Sequence, residues 1–182
     1  QWTYRGGSAL AIVPYTVDTP RRYSSAAWLY EWVDISDHTV ITNDDWLDGT
    51  GTTWGSDNGY ITYTMPFDFP YYGLVATEMH IGTNGYITFG AGAPSGHYGY
   101  GNSLPIPDDF STIDNVALDG LVGVLWADFD PSSAATDAGA GVYYGGDADS
   151  VTVTYNMIPY CCGATSPSNT AQAIFYPSGA FV

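Results

Sequence analysis

Asn84-Gly85 lies between two runs of alternating apolar residues, Met79-His80-Ile81-Gly82 before it and Tyr86-Ile87-Thr88-Phe89 after it. An Asn-Gly pair so flanked is the strongest short-range mark of a β-hairpin, because both residue types tolerate the positive φ of tight turns. Loop length decides what the hairpin can bury. A two-residue loop sets Thr83 opposite Tyr86 and sends Ile81 and Ile87 to opposite faces. A three-residue loop, with Gly85 left-handed in a bulge, sets Ile81 opposite Ile87 and Met79 opposite Phe89. Only the second gathers these four apolar side chains on one face, and burial of one face fixes register. The expectation is a bulged three-residue loop with His80, Tyr86 and Thr88 turned outward or toward a neighbour.

Other stretches alternate in the same way. Ile61, Tyr63 and Met65 oppose Thr62 and Thr64, after which Pro66 and Pro70 are expected to turn the chain. Strands are further expected at 121–126, 142–144, 151–157, 170–176 and 180–182, with turns at Gly145-Gly146-Asp147 and Pro177-Ser178-Gly179. Residues 23–35 open ambiguously, as a short helix capped by Ser24-Ser25 or as a strand, and alternation favours a strand for the second half. Short strands without a convincing helix indicate an all-β fold, an antiparallel β-sandwich with long loops. The chain's 182 residues suffice for one such domain with a real core.

Residues 1–22 stand apart. Residues 8–18 form an extended apolar segment that Pro14 restricts to an edge or an inserted strand. Thr19-Pro20-Arg21-Arg22 reads as a linker to a sandwich over residues 23–182. Leu10, Ile12, Val13, Tyr15 and Val17 are the candidate subunit contacts if this segment is a donor strand. Folding back onto its own domain as an edge strand is the alternative.

Charge narrows the partners. The formal net charge is −16, lysine is absent, and all three basic residues are Arg. Such a surface repels phosphate, so nucleic acid and anionic membranes are excluded as expected partners, while cations or a basic patch are favoured. No run is long and apolar enough to span a bilayer. A start at Gln1 and a composition rich in Tyr, Gly and Thr fit a processed, secreted chain. The two cysteines, Cys161 and Cys162, are adjacent. A strained vicinal disulfide, two free or buried thiols, and pairing with another chain all stay open.

An ordered series of motifs carries a resemblance. It comprises Tyr30-Glu31-Trp32-Val33-Asp34-Ile35-Ser36, Pro66-Phe67-Asp68-Phe69-Pro70-Tyr71-Tyr72-Gly73, Thr83-Asn84-Gly85-Tyr86-Ile87-Thr88-Phe89-Gly90, Val124-Leu125-Trp126-Ala127-Asp128-Phe129-Asp130, Gly141-Val142-Tyr143-Tyr144 and Asn169-Thr170-Ala171-Gln172-Ala173-Ile174-Phe175-Tyr176-Pro177-Ser178-Gly179. Together they resemble the nidogen-like module of bacterial secreted and surface proteins. The resemblance covers roughly residues 30–182 and implies a secreted, non-catalytic β-sandwich, with no catalytic residues to carry over. In such modules the strand after the last turn usually runs on, whereas this chain stops at Val182.

Few residues point to chemistry. Asp128 and Asp130 share a face if their strand persists, and could bind calcium with loop carbonyls or serve glycoside hydrolysis. No cofactor is required. His38, His80 and His97 lack ligand spacing and are expected at the surface or on the hairpin face. Trp46, Trp54, Tyr98 and Tyr100 sit in loops as candidate glycan contacts, against the commoner role of packing beneath those loops or burial at a subunit contact. Trp28, Trp32 and Trp126 are expected in the core. The expected function is a structural subunit of an extracellular filament or surface appendage, a homo-polymer built head-to-tail by strand donation. The alternative is a carbohydrate-binding or adhesive module of a larger secreted protein.

Overall fold

Alternation along the chain translates directly into two sheets. The computed structural model describes residues 31–47, 58–89, 120–132, 139–160 and 168–182. The strands are β1 (Thr39–Val40), β2 (Tyr60–Tyr71), β3 (Leu74–Gly82), β4 (Tyr86–Thr88), β5 (Val122–Gly123), β6 (Gly141–Gly146), β7 (Val151–Pro159) and β8 (Ser168–Phe175). One four-stranded sheet has the order β2-β3-β4-β5 and the other β1-β6-β7-β8, with every pairing antiparallel. No α-helix occurs among the described residues. The donor segment 8–18, with Leu10, Ile12, Val13, Tyr15 and Val17, lies outside the described residues. So do Trp28, Trp54, His97, Tyr98, Tyr100, Cys161 and Cys162.

The two inner faces close over one aromatic core. Met79, Ile81, Ile87 and Phe89 are all buried in it, with Ile61, Met65 and Phe69 from β2 and Val151, Val153, Tyr155 and Phe175 from the opposite sheet. Phe175 meets the rings of Phe69 and Phe89 edge-on, each at 5.5 Å between centroids. Tyr63 and Tyr144 add a second inter-sheet ring contact at 4.8 Å. Paired rings at these distances add about 0.5–1.5 kcal/mol beyond the area they bury.

The hairpin has the expected register. Ile81 pairs with Ile87 and His80 with Thr88, leaving Thr83, Asn84 and Gly85 as the loop, and Gly85 has φ +74°.

Several expectations are corrected. Pro66 and Pro70 do not turn the chain: β2 runs through both to Tyr71, and the turn comes at Tyr72-Gly73. Both prolines fit because β2 is an edge strand with an irregularity between Thr64 and Phe69, so no ladder donor is missed. Second, only Val122–Gly123 of the expected strand over 121–126 is a strand. The N–H groups of Val124 and Leu125 both donate to Gly85 O at 2.9 Å, which bends the segment around the hairpin loop. Third, residues 31–35 join no ladder. Instead Val33 pairs with a side chain: its N–H donates to Gln172 Oε1 (2.8 Å), and Gln172 Nε2 donates to Val33 O (3.0 Å). Fourth, Trp32 is exposed rather than core, and Trp126 is half-buried against Tyr86, with 6.0 Å between ring centroids.

Parts of the outer faces are also dry, although Thr62, Thr64 and Glu78 are exposed. His80, Tyr86 and Thr88 are buried, as are Thr152, Thr154, Gln172 and Ile174 on the other sheet. His80 meets Tyr60 edge-on at 5.7 Å, and its Nδ1 lies 2.9 Å from Thr62 Oγ1. The His38 side chain is nearly buried, not a surface group, with its ring over Gly145 where a Cβ would sit 2.5 Å away.

Candidate functional site

A hairpin loop is ordinarily exposed, yet here Thr83 and Asn84 are fully buried. The reason lies in the polar side chains of the loop, which satisfy neighbouring backbone. Thr83 N–H donates to Gly59 O (2.9 Å), and Gly59 N–H donates to Thr83 Oγ1 (3.1 Å). Asn84 Nδ2 donates to Asn58 Oδ1 (3.0 Å), and Phe129 N–H donates to Asn84 Oδ1 (2.7 Å). Gly85 cannot be replaced without strain, since a Cβ there would lie 2.2 Å from Leu125 O. From the other sheet, the Tyr155 hydroxyl shares its proton between Gly82 O (2.7 Å) and Tyr86 O (3.1 Å). Burial, and then the neighbouring Tyr86, push its pKa well above the ordinary tyrosine value. Three chain segments and both sheets thus converge on one turn, whose chemistry is that of a structural tie.

The acidic pair flanks a buried aromatic ring. Phe129 lies buried between Asp128 and Asp130 and bridges to Tyr160. The Asp130 carboxylate accepts from both the N–H and the hydroxyl of Ser132, an Asx turn that occupies one of its oxygens locally. Among the described residues no group of three His, Cys, Asp or Glu could hold a metal ion. Trp46, the one glycan-contact candidate that is described, is fully buried in the core and offers no ring face to a sugar. It takes the packing role weighed beside it.

The exposed apolar surface lies elsewhere. Tyr72, Leu74 and Val75 crowd the end of the β2–β3 hairpin. Sequence reasoning passed over them. The available signal was a Tyr-Gly turn with apolar neighbours, where Asn-Gly is the easier choice. Beside this end runs the outer edge of β2. Among the described residues only Leu47 pairs with that edge, exchanging two 2.9 Å hydrogen bonds with Tyr60.

Two antiparallel sheets closed over one core, tied at a buried turn, define a β-sandwich module. A family model described as NIDO related matches residues 22–179, and the chain belongs to this nidogen-related family. Domains of the family are typically extracellular. No curated protein and no solved structure matches the chain. No helix among the described residues is long and apolar enough to cross a membrane.

Proposed function

We propose that the chain is a non-catalytic structural subunit of an extracellular filament or surface appendage, joined head-to-tail by donation of residues 8–18 to the next copy. The observation that carries this reading is the outer edge of β2. An unpaired edge is a template for an added strand. Beyond Tyr60 that edge has no strand partner among the described residues, and it belongs to a strand of 12 residues. The apolar segment 8–18 is of nearly the same length. The backbone groups of Tyr60 face Leu47, so by alternation those of Thr62 and Thr64 also face outward.

Sedimentation velocity against concentration tests the reading. The full chain is expected to form species of growing mass, and a chain lacking residues 1–20 to remain a folded monomer. Equal polymerisation of both would refute strand donation. Glycan binding by a monomeric chain would favour the adhesive alternative.

A further inference from the structure

The β2–β3 hairpin closes through a turn that strains its backbone. Tyr72 has φ +42° and Gly73 φ +89°. Glycine, Asn or Asp enters such a turn easily, whereas a bulky residue at its first position is held there against its preference. The consequence is an aromatic ring at the extreme end of the hairpin, 63% exposed, beside Leu74 at 40% and Val75 at 68%. The end is stiff. The Tyr71 hydroxyl donates to Leu121 O (2.9 Å), and its ring packs on Phe89 (5.1 Å) and Phe181 (6.1 Å). An apolar end already held rigid loses little conformational entropy when it is covered.

Charge indicates what covers it. Residues 70–76 contain no ionisable acid or base apart from the two tyrosines, and the exposed carboxylates of Asp68 and Glu78 stand on either side. The sequence is sharply divided. Residues 23–182 carry eighteen Asp and Glu and no Lys or Arg, while residues 1–22 carry three Arg and one Asp. Two sandwiches therefore repel each other, and the first 22 residues are the one stretch of the chain whose net charge attracts a sandwich. That stretch is also apolar over 8–18 and ends in Arg21-Arg22.

We propose that the β2–β3 hairpin end is the docking surface for residues 1–22 of a second copy. The apolar side chains of 8–18 cover Tyr72, Leu74 and Val75, and Arg21 and Arg22 face Asp68 and Glu78. This rests on the reading of the chain as a self-assembling subunit and assigns the acceptor. Pro70 sharpens the assignment. The turn makes Tyr71 and Leu74 a hydrogen-bonded pair, so the proline nitrogen faces the outer edge and offers no donor there. Backbone pairing along β2 thus gives way near the hairpin end to side-chain contact.

The test uses the full chain with a photo-reactive benzophenone amino acid in place of Val75, mixed as unlabelled and 15N-labelled copies. Cross-links from position 75 to peptides within residues 1–22, in mixed-isotope pairs, are expected. Val75→Asp, at a site too exposed to disturb the core, is expected to raise the half-assembly concentration about tenfold or more, with an unchanged unfolding midpoint. Cross-links confined to one copy, or joining hairpin to hairpin, would overturn the proposal. So would wild-type assembly of Val75→Asp; if assembly is then still lost on removing residues 1–20, strand donation stands and only the acceptor is wrong. A chain that stays monomeric at every concentration and gives no cross-link overturns both.

Discussion

Asn84→Ala isolates the tie at the buried turn. Asn84 does not have a positive φ, so the substitution removes side-chain bonds without touching backbone preference. Phe129 N–H then loses its 2.7 Å acceptor in a site that is 2% exposed, and an orphaned buried donor costs about 1–3 kcal/mol. Loss of the 3.0 Å bond to Asn58 adds about 0.5–1.5 kcal/mol. The sum, about 2–4 kcal/mol, is a large part of the roughly 5–15 kcal/mol that holds a domain together. Equilibrium urea unfolding followed by Trp fluorescence measures it. With a slope of about 2 kcal/mol/M the midpoint falls by about 1–2 M. Asn58→Ala is the control, because it spares the Phe129 bond and should cost only about 1 kcal/mol. An Asn84→Ala variant within about 0.5 kcal/mol of wild type, or one that costs no more than the control, would refute the tie.

Other perturbations address other joints. Gly85→Ala meets both a left-handed backbone and the Leu125 carbonyl, so soluble folded yield should collapse; a variant with a wild-type unfolding midpoint would contradict the close approach. Tyr155 has a raised folded-state pKa, so the folded protein keeps a proton that the unfolded chain releases; stability should fall as pH rises above about 10. Urea midpoints between pH 8 and 12 should decline more steeply for wild type than for Tyr155→Phe, and parallel curves would refute this. Tyr72→Asn should relieve the strained turn and stabilise the fold by about 0.5–1 kcal/mol while weakening assembly. A loss of stability, or undiminished assembly, would count against the hairpin end as a functional feature.

What the chain reveals in one dimension is its local chemistry. The register at Asn84-Gly85 was legible because period-two alternation leaves only one loop length that buries Met79, Ile81, Ile87 and Phe89 together. The sandwich followed from repeated alternation of the same kind. Long-range capture was not legible. Nothing near residues 121–126 announces that Gly85 O, far away in sequence, will take two of their N–H groups. Alternation at residues 31–35 is real, yet their partner is a glutamine side chain 139 residues away from Val33. The prolines of β2 misled because whether a proline ends a strand or sits on an edge depends on neighbours that local sequence does not name. At the site, Trp46 is buried in the core, which agrees with packing, the commoner of its readings, whereas Tyr72, Leu74 and Val75 gave only a faint signal.

The pairing of Val33 with Gln172 has a mechanical meaning. One carboxamide stands in for a peptide unit, donating to Val33 O and Thr154 Oγ1 and accepting from Val33 N–H. If the chain assembles as proposed, tension entering at residue 31 would reach these bonds before it reached β1. Peeling residues 31–38 would free a length of chain that spans at most about 25–30 Å, and its excess over the distance already covered is the slack, gained while both sheets stayed intact. The segment would then act as a reversible shock absorber between subunits, yielding first and re-forming when the load is released.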